Sequence, residues 1–139
     1  MLQNAVTKFP YPFARPAPHP LRRRRSELVD VVAEALPLDA ARREAWRVWT
    51  GFYGRAAWSP ALASELRQRC SEWRRSAIEM IEWGIEEGLF RADLDVERES
   101  DALLLLIDGL GSNAILDPRR WTAARQRGQL EHFLSRLRP

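Results

Sequence analysis

From about residue 26 to the C-terminus, apolar side chains return every three to four positions, the period of an α-helix packed on one side. Between Pro60 and Glu87 a single stripe is read: Leu62, Leu66, Cys70, Trp73, Ala77, Met80, Ile81 and Gly84. Arg67, Glu72, Arg75, Glu79, Glu82 and Glu86 occupy the other face, so this segment predicts a helix with one buried side. The segment from Ala40 to Trp58 carries two adjacent stripes, Trp46–Trp49–Tyr53–Ala56–Ala57 and Ala45–Val48–Phe52. Gly51 and Gly54 sit inside it at a cost of about 1 kcal/mol each relative to alanine, which close helix contact or space for a ligand would explain. From Val96 to Leu116 one stripe is Leu103, Leu106, Ile107, Leu110 and Ala114, and Leu104, Gly111 and Ile115 form another beside Asp108. The last amphipathic stretch carries Leu130, Phe133, Leu134 and Leu137.

The punctuation agrees with this period. Pro37 stops a first helix of about Ser26–Leu36, and Asp39 is placed to cap the second. Ser59-Pro60 is a cap followed by proline in the first turn, and Gly88 is placed to end the third helix in a left-handed conformation with Leu89 as its hydrophobic contact. Asp95 starts a fourth, Asp117-Pro118 breaks it, and Thr122 caps a fifth reaching about Leu137. No stretch alternates with period two, so no strands are expected. The expected fold is all-α, a bundle-like domain of five helices.

A helix apolar on two sides must be buried on two sides. A helix near the end of a small bundle has little chain left to cover both, so Leu104, Gly111 and Ile115, with Leu130, Phe133 and Leu134 of the final helix, are the expected contacts with a second copy. The last two helices would then form a four-helix seam in a homodimer. The competing reading satisfies both stripes within one chain.

At 139 residues the chain fits one domain. Its net charge of +3 is unevenly placed. Six of the 22 basic residues and none of the 19 acids fall in residues 1–25, leaving the remainder at −3. The folded part is therefore a poor polyanion binder. Residues 1–25 read as a disordered Pro/Arg-rich head, and its Arg22 to Arg25 run would give only salt-sensitive, nonspecific contact with phosphates. Sequence-specific DNA binding is not expected of this chain alone. The single cysteine, Cys70, rules out an intrachain disulfide framework. No apolar run is long enough for a membrane span, prolines interrupt what would be a signal peptide, and the simplest placement is the cytoplasm.

Catalytic chemistry is absent from the pattern. His19 and His132 have no Cys or carboxylate partners at metal-ligand spacing, no glycine-rich phosphate loop occurs, and no nucleophile, base and acid form a set. Glu82, Glu86 and Glu87 read as a solvated face. Neither an enzyme, a metal nor a cofactor is expected. The aromatic content points instead to a pocket, because six tryptophans are many for this length. Trp46, Trp49, Tyr53 and Trp73, facing Ala77 and Met80, are the candidate lining of a ligand pocket between the second, third and fourth helices, although each ring also suits a plain core. Asp108 is its candidate polar group, since a carboxylate in an apolar run needs an arginine, hydrogen bonds or a cationic ligand. Cys70, on the apolar stripe, reads as an inert small hydrophobe.

The stretch LPLDAARREAWRVWTGFYGRAAWSPALASELRQRCSEWR, followed by EEGLFRADLDVERESDALLLLIDGLGSNAILDP and QLEHFLSRL, resembles the C-terminal domain of TetR-family regulators of the BetI type. The ordered set is Gly88-Leu89, Arg91, Asp93-Leu94-Asp95, Asp108-Gly109-Leu110 and Leu116-Asp117-Pro118, and the resemblance covers about residues 26–138. It implies a transcriptional repressor whose C-terminal helices dimerise and enclose a pocket for a small effector, which on binding releases DNA from N-terminal helix-turn-helix domains. The resemblance does not name the effector, and the aromatic set with Asp108 points to a small apolar or cationic one. Residues 1–25 show no helix-turn-helix pattern, so the headpiece is expected to be missing from this chain. The alternative is a headless interaction subunit that pairs with a full-length relative and senses nothing.

Overall fold

The computed structural model describes residues 21–139, with side chains from Arg25 onward. Among these residues there are five α-helices and no strands: α1 Leu21–Ala33, α2 Ala40–Ala56, α3 Pro60–Glu86, α4 Val96–Leu116 and α5 Ala123–Arg136. The expected head falls outside the described residues up to residue 20, while Leu21–Arg25 are already helical. Arginine is a good helix former, and nothing after Pro20 interrupts the chain until Pro37.

Four helix starts are held by the expected side chains. Asp39 accepts from the Arg42 N–H at 2.8 Å, Ser59 from Leu62 at 3.4 Å, Asp95 from Arg98 at 3.1 Å and Thr122 from Arg125 at 3.3 Å. At the end of α3, Gly88 adopts φ +70°. The Leu89 N–H reaches back to the Gly84 carbonyl at 2.8 Å, and Leu89 itself is fully buried. This left-handed cap ends the helix and turns the chain toward α4.

The core is continuous. Leu28, Val32 and Leu36 from the start of the chain meet Trp46, Ile81, Leu89, Leu103, Ile107, Leu130 and Leu134 in one buried cluster. The pairs α3·α4, α2·α3, α2·α4, α1·α5 and α4·α5 are in contact. Polar ties fix the outer edges. Arg74 of α3 donates to Asp101 at 2.7 Å and to Glu97 at 3.2 Å on α4. Arg127 of α5 pairs with Asp30 of α1. The Arg91 N–H bonds the Leu137 carbonyl at 2.8 Å, tying the α3–α4 turn to the end of α5. No described helix is long and apolar enough to cross a membrane.

Candidate functional site

A groove of about 440 Å³ opens between α2 and α4. Trp49, Thr50, Tyr53 and Gly54 form its α2 wall, and Leu105, Asp108, Gly109 and Ser112 its α4 wall. Each set is spaced for one side of a helix, so the groove is the junction of two helical faces that do not close on each other. Gly54 and Gly109 have no atom within 4 Å of where a Cβ would stand. Their missing side chains leave open space here.

Three of the expected pocket residues meet in this groove: Trp49, Tyr53 and Asp108. Trp73 stands behind it, its ring 4.5 Å from that of Trp49 and tilted by 47°, and is buried. Trp46, Ala77 and Met80 are buried in the core and do not line the groove. The reason for Trp46 is specific. Its Nε1–H donates to the Ala35 carbonyl at 3.0 Å, and its ring fills the space over Gly111, where an added Cβ would lie 2.2 Å from the indole. The C-terminal part of the α3 stripe, including Ala77 and Met80, is consumed by the core, while Leu62, Leu66 and Cys70 are half-buried. The site thus joins α2 and α4, and α3 only backs it through Trp73.

Asp108 is the electrostatic centre. It is half-buried, and its carboxylate has neither an ion pair nor a hydrogen bond among the described residues. Burial disfavours the charged form and pushes its pKa from an ordinary 3.8 up to about 6. The nearby Cys70 thiol is pushed up as well, first by its own burial and then by the negative charge of Asp108. Both effects favour the protonated thiol over the reactive thiolate. The Thr50 hydroxyl is engaged with the Trp46 carbonyl at 2.8 Å.

The expected contacts with a second copy divide. Leu130 and Leu134 are buried within the chain, and Gly111 lies under Trp46, so these three serve the monomer core and offer no surface to a partner. Leu104, Ile115 and Phe133 are half-buried and pack against the same core. The apolar surface left on α4 is instead Leu105, 72% exposed, and Leu116, 82% exposed, with Gly109 between them. Sequence periodicity passed over Leu105 and Gly109, which lie on the side of this helix away from both stripes read on it.

The architecture is all-α: among the described residues, five helices around one core, with an open amphipathic groove whose α4 wall continues into an uncovered helix face. Residues 24–139 match the family described as the BetI-type transcriptional repressor, C-terminal, and the chain belongs to that TetR-related family. The family is one of transcriptional regulators and not of enzymes. No curated protein is significantly similar in sequence. Among solved structures, a transcriptional regulator from Rhodococcus sp. Rha1 is similar at a TM-score of 0.70 with 22% identity. The match covers 98% of this chain and 64% of that regulator, so this chain spans less than two thirds of its length. The likeness supports the fold.

Proposed function

We propose that this domain is the effector-sensing, dimerising part of a transcriptional repressor, and that the groove between α2 and α4 takes a small amphipathic cation. The observation that carries this reading is the unpartnered, half-buried Asp108 carboxylate in a groove shared with the Trp49 and Tyr53 rings. A cationic group supplies the missing counter-charge, and the ring faces attract it further. The ligand's apolar part would lie along Leu105 and Gly54. The groove's volume lies in the range of small-molecule sites. Sequence-specific DNA reading is not assigned to these five helices, since residues 21–139 set 20 basic residues against 19 acids and are close to neutral overall.

The test uses benzyltrimethylammonium, benzylamine and the neutral benzyl alcohol as probes, followed by tryptophan fluorescence and thermal shift. The cations are expected to bind at least about tenfold more tightly than the alcohol, one charge-assisted contact's worth of discrimination. Asp108→Asn should erase that preference, and Trp49→Ala should weaken all three probes. Equal binding of cation and alcohol to the wild type removes the cationic reading. Absence of binding by every probe removes sensing at this groove and leaves the interaction-subunit role.

Dimerisation is assigned to the exposed side of α4, with α5 beside it. Leu105 and Gly109 on that side also wall the groove, so a second copy would lie across the groove's open mouth. Leu105, Gly109 and Leu116 recur at spacings of four and seven, a line along one side of the helix, and Gly109 lets a second helix approach closely. Wild-type protein at tens of micromolar (roughly, for an interface of standard size) should scatter light as a dimer. Leu105→Arg and Leu116→Arg should each shift it to a folded monomer. A wild type that stays monomeric refutes the assignment, and so does a variant pair that stays dimeric.

A further inference from the structure

A second concavity, of about 550 Å³, lies between α1 and α5 and shares no residue with the groove. Its chemistry is the reverse of the first. Arg25 and Ser26 of α1 face Arg127, His132 and Ser135 of α5, with Arg138 just beyond that helix. The one carboxylate in the lining, Glu131, lies 3.4 Å from Arg127, which also pairs with Asp30. The acids at this cleft are thereby committed to Arg127. Arg25 and Arg138 have no ion pair among the described residues, and the Arg25 Nε is buried with no hydrogen-bond acceptor. A buried N–H without an acceptor is costly, and a carbonyl or water would leave the gathered positive charge unopposed.

We infer that this cleft binds a small phosphate-type oxyanion, held by Arg25 from α1 and Arg138 from the end of α5. A guanidinium presents parallel N–H groups that match the oxygens of a phosphate, and the buried Arg25 Nε–H is the donor left open for one. The Ser26 hydroxyl and His132 are at hand as further donors, while the Ser135 hydroxyl is engaged with the His132 carbonyl at 2.7 Å. A small molecule is favoured over nucleic acid on two counts. The site is a concavity with two free cations, not an extended basic face, and residues 21–139 set 20 basic residues against 19 acids, leaving no large positive excess for a polyanion. The ligand would bridge two helices whose described polar link is the Arg127–Asp30 pair. Because α1 is the helix by which the preceding chain enters the domain, an anion there would fix that entry against α5. The inference is independent of the α2–α4 groove.

The test is a thermal-shift and calorimetric titration of the full chain with inorganic phosphate and pyrophosphate, ionic strength held constant with chloride. Saturable stabilisation by pyrophosphate beyond the chloride control is expected. Arg25→Gln and Arg138→Gln should each weaken it by about tenfold, the usual scale for one lost charge-assisted contact. Both residues are half-buried, and circular dichroism of the variants checks that the helices are retained. No shift beyond the chloride control overturns the inference, as does equal binding by wild type and both variants. A third arm offers a random duplex DNA at physiological salt. Binding of DNA that pyrophosphate fails to displace would show a nucleic-acid surface in place of a small-anion site.

Discussion

Gly111→Ala is expected to lower stability by about 3–5 kcal/mol, a loss at the upper end for overpacking because the displaced group is a buried tryptophan. The new Cβ would stand 2.2 Å from the Trp46 indole. That ring cannot swing aside cheaply, being 1% exposed and held through Nε1–H to the Ala35 carbonyl. Moving it breaks that bond and leaves a void among large side chains. For a domain of this size the melting temperature should fall by roughly 10–20 °C. The double variant Trp46→Leu, Gly111→Ala should recover part of the loss relative to the sum of the single changes, since the clash is pairwise. Thermal denaturation of the four proteins decides the matter. A Gly111→Ala protein within about 1 kcal/mol of wild type would mean that the glycine faces a partner and not Trp46, and a change confined to the dimerisation constant would say the same.

How much of this was legible in the sequence depends on the range of the signal. Asp39, Ser59, Asp95, Thr122 and Gly88 act within one helical turn of themselves, and each does in the structure what its residue type predicts. The start of α1 was misplaced because an arginine run is neither apolar nor helix-breaking and gives periodicity nothing to read. On α4 the failure is more instructive. Four successive leucines, Leu103 to Leu106, point around nearly the whole helix, so the pattern cannot say which of them stays outside; Leu105 does. Gly109 and Gly111 are both plausible contact glycines, and they face different sides. Only Trp46, distant in sequence, settles that Gly111 turns inward. The same long-range packing explains the pocket. Trp49, Tyr53 and Asp108 were readable as a set, whereas Trp46, Ala77 and Met80 carry the same apolar signature and went to the core.

Asp108→Asn is expected to stabilise the free protein, and only above a definite pH. Burial raises the carboxyl from 3.8 to about 6, so the folded state disfavours the charged form relative to the unfolded chain. The sign follows by linkage. Below pH 3.8 the group is protonated in both states and carries no penalty. Between 3.8 and about 6 the unfolded chain ionises first and stability falls, and above 6 the full penalty is present. That penalty is about 2 kcal/mol after allowance for the carboxylate's partial contact with water. An amide of the same shape does not ionise, so the variant should melt higher than wild type by roughly 5–10 °C at pH 8, with the difference vanishing near pH 4. A cation in the groove reverses this logic, because it favours the carboxylate. Benzyltrimethylammonium should bind wild type more weakly as pH falls through about 6 and should raise its melting temperature at pH 8 toward that of the unliganded variant. Equal differences at pH 4 and pH 8, or a variant less stable than wild type at pH 8, would show that Asp108 already has a positive or hydrogen-bonding partner in solution. The groove would then lack the unmet charge on which its assignment as a cation site rests.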